Sequence, residues 1–260
     1  MIFDLNYKEY KFSHKIDPHA KMNPNYMYHA HSLYEILLFL EGDVEYVVEN
    51  RKYNLKPYDM LLVRPGEHHY LKFLKESRYD RMVFRFPGYI VPTIIEEKFK
   101  QLPNLMNVKD TCFAKIFERF DQHAEKFNSE KLYLLCVNTL SELLIYIGEE
   151  EIENTQIEIL DETVESILEY INIHINEPIY VQDICEHFFV SKTKLYHLFF
   201  EVMKVPIGQY IRNKKIMIAY SLIQKGLKPT QVAENIGFLD YSTFYRTYVK
   251  VVGASPSDQE

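Results

Sequence analysis

Cysteine is scarce. Cys112, Cys136 and Cys185 stand 24 and 49 residues apart, so no CxxC pair, zinc-finger spacing or disulfide framework can be drawn from them. A reducing cytoplasm is the expected setting. Glycine (8) and proline (11) are also few among 260 residues, which leaves no low-complexity or linker-like tract. No window of 18 apolar residues occurs, and the opening MIFDLNYKEYKF alternates charge with aromatics instead of building an apolar run. Neither a signal peptide nor a membrane span is expected. Phosphate-cradling glycine loops and nucleophile elbows are missing too, so neither NTP-driven nor hydrolytic chemistry is expected and no catalytic residue is assigned. What is there is a globular composition, 47% hydrophobic and 26% charged, on a chain long enough for one or two domains.

Positive charge is short over most of the chain, where residues 1–187 hold 20 Lys and Arg against 32 acids. Residues 188–250 reverse the balance, with ten Lys and Arg against Glu201, Glu234 and Asp240. A block of net +7 on a protein of net charge −7 is the electrostatic footprint of a polyanion-binding module on an otherwise acidic chain.

The pattern from 33 to 87 is short and two-periodic: LYEILLFLE, DVEYVVEN, KYNLK, YDMLLVRP, HHYLKFL and YDRMVFRF read as strands. Turn residues separate them, among them Glu41-Gly42-Asp43, Asn50-Arg51-Lys52, Pro57 and Pro65-Gly66. About ten residues per strand predicts an antiparallel barrel or sandwich. From 111 the period changes to three and four. Phe113, Ile116, Phe117 and Phe120, then Leu132 to Ile147, predict two amphipathic helices broken near Asn128-Ser129, placed to cover the barrel or to dimerise. EEEIENTQIEIL (149–160) has no clean period and is read as a linker.

Everything from Asp161 onward is helical in pattern, with Asp161, Ser191 and Asp240 as N-caps, Pro206 as a first-turn residue and Gly226 as a C-terminal stop. Two short-helix, turn, longer-helix units, about 181–202 and 230–251, flank a helix at 206–225. The small residues Cys185 and Ala233 align, and Leu195-x3-Phe199 then matches Phe244-x3-Tyr248. Tandem helix-turn-helix units inside the basic block point to DNA.

VAENIGFLDYSTFYRTYVKVVGASP (232–256) carries Val232, Ala233, Gly237, Phe238, Ser242, Phe244, Arg246, Tyr248, Gly253, Ser255 and Pro256. On these residues the chain resembles the AraC/XylS family of bacterial transcription regulators. The first unit fits more loosely: Met203 replaces a usual Gly, and Lys215 and Ile218 stand where Arg is usual. The resemblance implies that the second helix of each unit enters the major groove. Candidate DNA contacts are Lys192, Thr193, Lys194, Tyr196 and His197 in one helix, and Tyr241, Ser242, Thr243, Tyr245 and Arg246 in the other, Arg246 being suited to a bidentate contact. Lys204, Lys214, Lys215 and Lys250 are expected as phosphate clamps.

His29-x-His31-x3-Glu35-x6-Gly42, with Pro65-Gly66-Glu67-His68-His69, resembles the two motifs of a cupin-like barrel. His29, His31 and Glu35 share strand parity, and His69 can join them from a facing strand, which suits either a divalent metal or the polar lining of an effector pocket. The pocket is preferred, with Tyr28 and Tyr46 among its aromatics and with no metal or other cofactor.

The resulting expectation is an α+β multidomain protein. Residues 1–110 form a cupin-like antiparallel sensor barrel, 111–148 a helical pair for dimerisation, 149–160 a linker, and 161–260 an all-α domain with two helix-turn-helix units. It implies a non-enzymatic, sequence-specific regulator answering a small molecule, with a carbohydrate among the candidates. Its expected partners are double-stranded DNA, the effector, RNA polymerase and a second copy, with no membrane. A metal-dependent cupin enzyme fused to a DNA-binding tail and a constitutive regulator with a vestigial barrel are the rival readings.

Overall fold

The computed structural model describes residues 3–7, 10–22, 26, 28–124, 126–147 and 157–258. Its strands are β1 (Phe3–Tyr7), β2 (Tyr10–Ala20), β3 (Leu33–Glu41), β4 (Val44–Val48), β5 (Arg51–Asn54), β6 (Asp59–Val63), β7 (His69–Phe73), β8 (Ser77–Pro87), β9 (Leu105–Asn107) and β10 (Glu158–Ile159). The helices are α1 (Thr93–Gln101), α2 (Cys112–Ala124), α3 (Ser129–Tyr146), α4 (Glu162–Ile173), α5 (Val181–His187), α6 (Lys192–Met203), α7 (Ile207–Gln224), α8 (Pro229–Asn235) and α9 (Tyr241–Val252).

Strands pair antiparallel into a six-stranded sheet, β1-β2-β8-β3-β6-β9, and a four-stranded sheet, β10-β5-β4-β7. From Ile36 to Leu40 β3 reads as an unbroken apolar run because both of its faces are covered there. Leu37 and Phe39 join the core between the sheets, whereas Ile36 and Leu38 face the helices. β6 alternates in the same way, with Leu61 and Val63 inside and Met60 and Leu62 toward the helices. The stripe expected to serve barrel cover or dimerisation serves cover: Leu132, Cys136, Leu140, Leu143 and Ile147 of the α3 segment are buried with Phe113, Phe117 and Phe120 of α2 against the larger sheet.

Part of the expected linker, 149–156, lies outside the described residues. Its end is not a free tether, because β10 extends the smaller sheet through Glu158↔Lys52 and Ile159↔Arg51. Immediately after it the Asp161 carboxylate caps α4 by accepting from the Val164 amide. The six interior strands fall where the two-period pattern puts them. β1, β2, β9, β10 and α1 were not expected; β1 (FDLNY) and β2, through Tyr10, Phe12 and Ile16, do alternate apolar with polar residues at period two, a signal that was there to be read.

The helical region has two small cores strung on one helix. α4, α5, α6 and the first half of α7 enclose Ile184, Leu195, Phe199 and Tyr210; the second half of α7 encloses Ile216, Ala219, Val232, Phe244 and Tyr248 with α8 and α9. The two turns repeat one another bond for bond. Phe189 N–H donates to Glu186 O and Val190 N–H to Cys185 O, as Gly237 N–H donates to Glu234 O and Phe238 N–H to Ala233 O. Phe189 (φ 53°) and Gly237 (φ 72°) occupy the same left-handed position.

Candidate functional site

The face of the larger sheet that looks toward the smaller one is apolar in its middle and polar toward β1 and β2. Strand parity explains this: Lys11, Ser13 and Lys15 of β2, Arg81, Val83 and Arg85 of β8, and Glu35 and Leu37 of β3 all point the same way. Register makes them neighbours, with Lys11 opposite Arg85, Arg85 opposite Glu35, and Lys15 opposite Arg81. They floor a cavity of about 540 Å³ whose walls include Tyr26, His29, Tyr46, Tyr70 and Tyr79.

Glu35 is 1% exposed and is the electrostatic centre of the floor. Its carboxylate accepts from Arg85 Nε at 2.5 Å, lies 3.1 Å from His31 Nε2 and accepts from the Tyr46 hydroxyl at 3.5 Å. Burial alone would raise its pKa; the His31 bond and the Arg85 charge outweigh burial and hold the carboxyl well below the usual range. Burial also pushes the His69 imidazole down to about 3, so this ring is neutral at physiological pH. His29 and His69 exchange backbone hydrogen bonds of 3.1 and 2.9 Å, which sets their rings 4.3 Å apart.

Of the residues picked out for this pocket, His29, His31, Glu35, His69 and Tyr46 come together. Tyr28 does not. Its ring stacks on His68 and its hydroxyl faces Met203 Sδ at 3.9 Å, so it lies between the barrel and α6. Lys11, Arg81 and Arg85 were missed, although their equal parity at positions 81 and 85 was a usable signal.

The second candidate surface is formed by α6 and α9. Lys192, Thr193, Lys194, Tyr196 and His197 are exposed, as are Tyr241, Ser242, Thr243, Tyr245 and Arg246, while Leu195, Phe199, Phe244 and Tyr248 hold both helices to their cores. Ser191 and Asp240 cap these helices by accepting from Lys194 N–H and Thr243 N–H. Lys204 and Lys250 are exposed beside them. Gln209, Arg212 and Lys250 line a groove between α7 and α9, and Arg212 is a cation the sequence reading passed over.

Two of the expected phosphate clamps are elsewhere. Lys215 is 5% exposed, and its ammonium donates to the backbone carbonyls of Ile175, Glu177 and Ile236, fastening one helical unit to the other. Lys214 turns to the barrel, donating to the Tyr210 hydroxyl at 3.0 Å and lying 3.9 Å from Glu49. Tyr210 in turn donates to Glu49 at 2.7 Å. Around this knot Arg51 pairs with Glu165 and Lys225 with Glu96, while Asn50 donates to Asp161 O. The helix shared by both units therefore rests directly on the barrel.

Comparison with known proteins bears on the two domains that carry these surfaces. Residues 14–134 match a family described as the AraC-like ligand binding domain, and 184–259 match a helix-turn-helix domain. The chain is 24% identical over 232 residues to the "Probable transcriptional regulator LumQ" of Photobacterium leiognathi, covering 88% of this chain and 90% of that protein. It is 26% identical over 239 residues to the arabinose operon regulatory protein of Escherichia coli (strain K12), covering 86% and 79%. With a ligand-binding barrel ahead of tandem helix-turn-helix units, the chain belongs to the AraC family of DNA-binding transcriptional regulators.

Proposed function

We propose that the protein regulates transcription in answer to a small polar molecule taken into the barrel cavity, acting as a cytoplasmic homodimer on double-stranded DNA and on RNA polymerase, without catalysing a reaction of its own. The observation that carries this reading is the seating of α7 on the barrel through Glu49, Tyr210 and Lys214, which gives a ligand in one domain a mechanical path to both DNA-reading helices. Four cations against Asp4 and Glu35, with several tyrosines, suit a hydroxylated ligand such as a sugar or sugar acid. Such a ligand, binding only the folded state, should raise the melting temperature in a thermal-shift screen of sugars and sugar acids.

Two rigidly linked units should protect two successive major grooves, about 34 Å apart on one face of the duplex. Arg246→Ala should cost about 1 to 3 kcal/mol and relax specificity at one position. Footprints of a single groove per protomer would refute the tandem reading.

The dimer contact is assigned to the side of α3 that faces away from the sheet, where Leu134 (61%) and Ile145 (62%) stay exposed. Leu134→Glu combined with Ile145→Glu should sediment as a folded monomer and lose the avidity of paired half-sites. A double variant that still sediments as a dimer would move the interface elsewhere.

A further inference from the structure

The lysines along α7 and at its C-terminal end are engaged inside the molecule: Lys214 by Tyr210 and Glu49, Lys215 by three carbonyls and Lys225 by Glu96. Arg212 is not. It is exposed and, among the described residues, has no carboxylate partner, and the same holds for Lys250 of α9. The two share a groove of about 310 Å³ with Gln209, Asn213 and Thr247, so charged and neutral donors converge there and none of the lining residues is acidic. Thr247 and Lys250 follow Thr243 and Arg246 by four residues and continue their row one turn along α9, the Thr247 hydroxyl donating to Thr243 O at 2.7 Å. The groove therefore prolongs the face on which the candidate base contacts lie. Its third wall comes from the other domain, from Ala30 of the barrel. Ala30 is held there by its neighbours: His29 exchanges backbone hydrogen bonds with His69, and His31 O accepts from Gly66 N–H at 3.0 Å. Two residues earlier Tyr28 faces Met203 of α6, so the even positions of this strap rest on the helical units while His29, between them, lines the cavity.

We propose that this groove binds one phosphate of the DNA backbone between Arg212 and Lys250, and that Ala30 walls it, so that the barrel stays on the helical domain and is itself part of the DNA interface. A guanidinium and an ammonium beside neutral donors match a phosphodiester, and a backbone contact belongs next to the base contacts, where it fixes their register. The barrel's own charge makes the choice of residue at position 30 informative. Residues 1–187 hold more acids than bases and would repel a duplex, yet at the groove they present a methyl group. An uncharged small side chain lets the phosphate approach both cations. The inference rests on the DNA reading of α9 and adds to it that the docked arrangement of the two domains is the one that meets DNA.

The test measures binding of the full-length protein to a mixed-sequence duplex of about 30 base pairs, long enough to offer two successive major grooves, between roughly 50 and 200 mM salt. Arg212→Gln should flatten the dependence of log affinity on log salt by about one, the mark of one lost phosphate contact. Ala30→Lys, a change in the other domain, should steepen it by about one and tighten binding at low salt several-fold, whereas Ala30→Glu should weaken binding. Leu74→Lys adds the same charge to the barrel just past the end of β7 opposite His69, at an exposed position, and should leave the slope at the wild-type value. Circular dichroism establishes that each variant is folded. Hydrogen exchange on the wild-type protein, which needs no substitution, should show the 28–31 strap protected when the duplex is added. A folded Ala30→Lys protein that behaves like Leu74→Lys, or a strap that exchanges no more slowly on DNA, would overturn the proposal, because the barrel would then leave the groove on binding. Wild-type protein that fails to bind the duplex at any salt would overturn the DNA reading beneath it as well, so the two failures are told apart.

Discussion

Lys215→Met should lower the stability of the helical half by about 3 kcal/mol or more and its melting temperature by roughly 10 °C, because three backbone carbonyls, two of them buried, lose their donor at once. Methionine keeps the length and the apolar stem of the side chain, so the loss reports the ammonium and not a cavity. The carbonyls come from both units: Ile175 and Glu177 follow α4, and Ile236 ends α8. The substitution therefore loosens the angle between α6 and α9 as well as the fold. Burial pushes the Lys215 pKa down only to about 8, so the group is still charged at neutral pH. Calorimetry of the full chain decides the matter against the expectation from sequence. A residue that clamps phosphate would leave melting unchanged and flatten the salt dependence of DNA binding by about one.

Why Lys215 was misread shows where sequence legibility stops. Helix ends were legible, because Asp161, Ser191 and Asp240 cap through their own side chains and Pro206 and Gly226 act locally. The doubly covered strands were legible from their length and turns. Basic residues on a helix in a basic block, by contrast, invite assignment to DNA, and only tertiary packing says which face is outside. A signal existed: Ile211, Lys215, Ala219 and Ile223 recur at every fourth residue along the buried row of α7. A lysine in such a row has to find acceptors inside.

The same limit applies to the barrel. His29, His31, Glu35 and His69 could be grouped from spacing because parity places residues on one face of a strand. Lys11 and Lys15 joined them only through β2, a strand that pairs with β8 over a sequence distance of some seventy residues. Tyr28 shares the stretch with His29 and His31, yet an odd–even step turns it to the opposite side, toward Met203 and the helical domain. Lys214 and Glu49 could not have been paired from sequence at all, since each looks like an ordinary surface charge until α7 is laid on the barrel.

Gly237→Ala should be at least as damaging as Lys215→Met, with a cost of about 4 kcal/mol. A methyl group at position 237 would stand 2.3 Å from Glu177 C and 2.6 Å from both Glu177 O and Pro178 N, all of them backbone atoms that cannot swing aside. The left-handed φ of 72° adds roughly 1 kcal/mol for any residue with a Cβ, and overpacking a tight contact adds about 1 to 3 more. Phe189 is the internal control, because it holds the same place in the other turn with a full side chain. It is 96% exposed, so its left-handed backbone meets no steric wall. Phe189→Gly should accordingly change stability by no more than about 1 kcal/mol, the relief of strain offsetting the added freedom of the unfolded chain. What differs between the two turns is the neighbour: the second is pressed against the chain between α4 and α5, next to the carbonyls that Lys215 binds. That contact sets one DNA-reading helix relative to the other, so Gly237→Ala should also lose protection of the two-groove site at temperatures where the protein is still folded. A variant that melts within about 2 °C of wild type, or that keeps the full footprint, would mean that the loop yields and that the close approach at Gly237 does not fix the angle between the units.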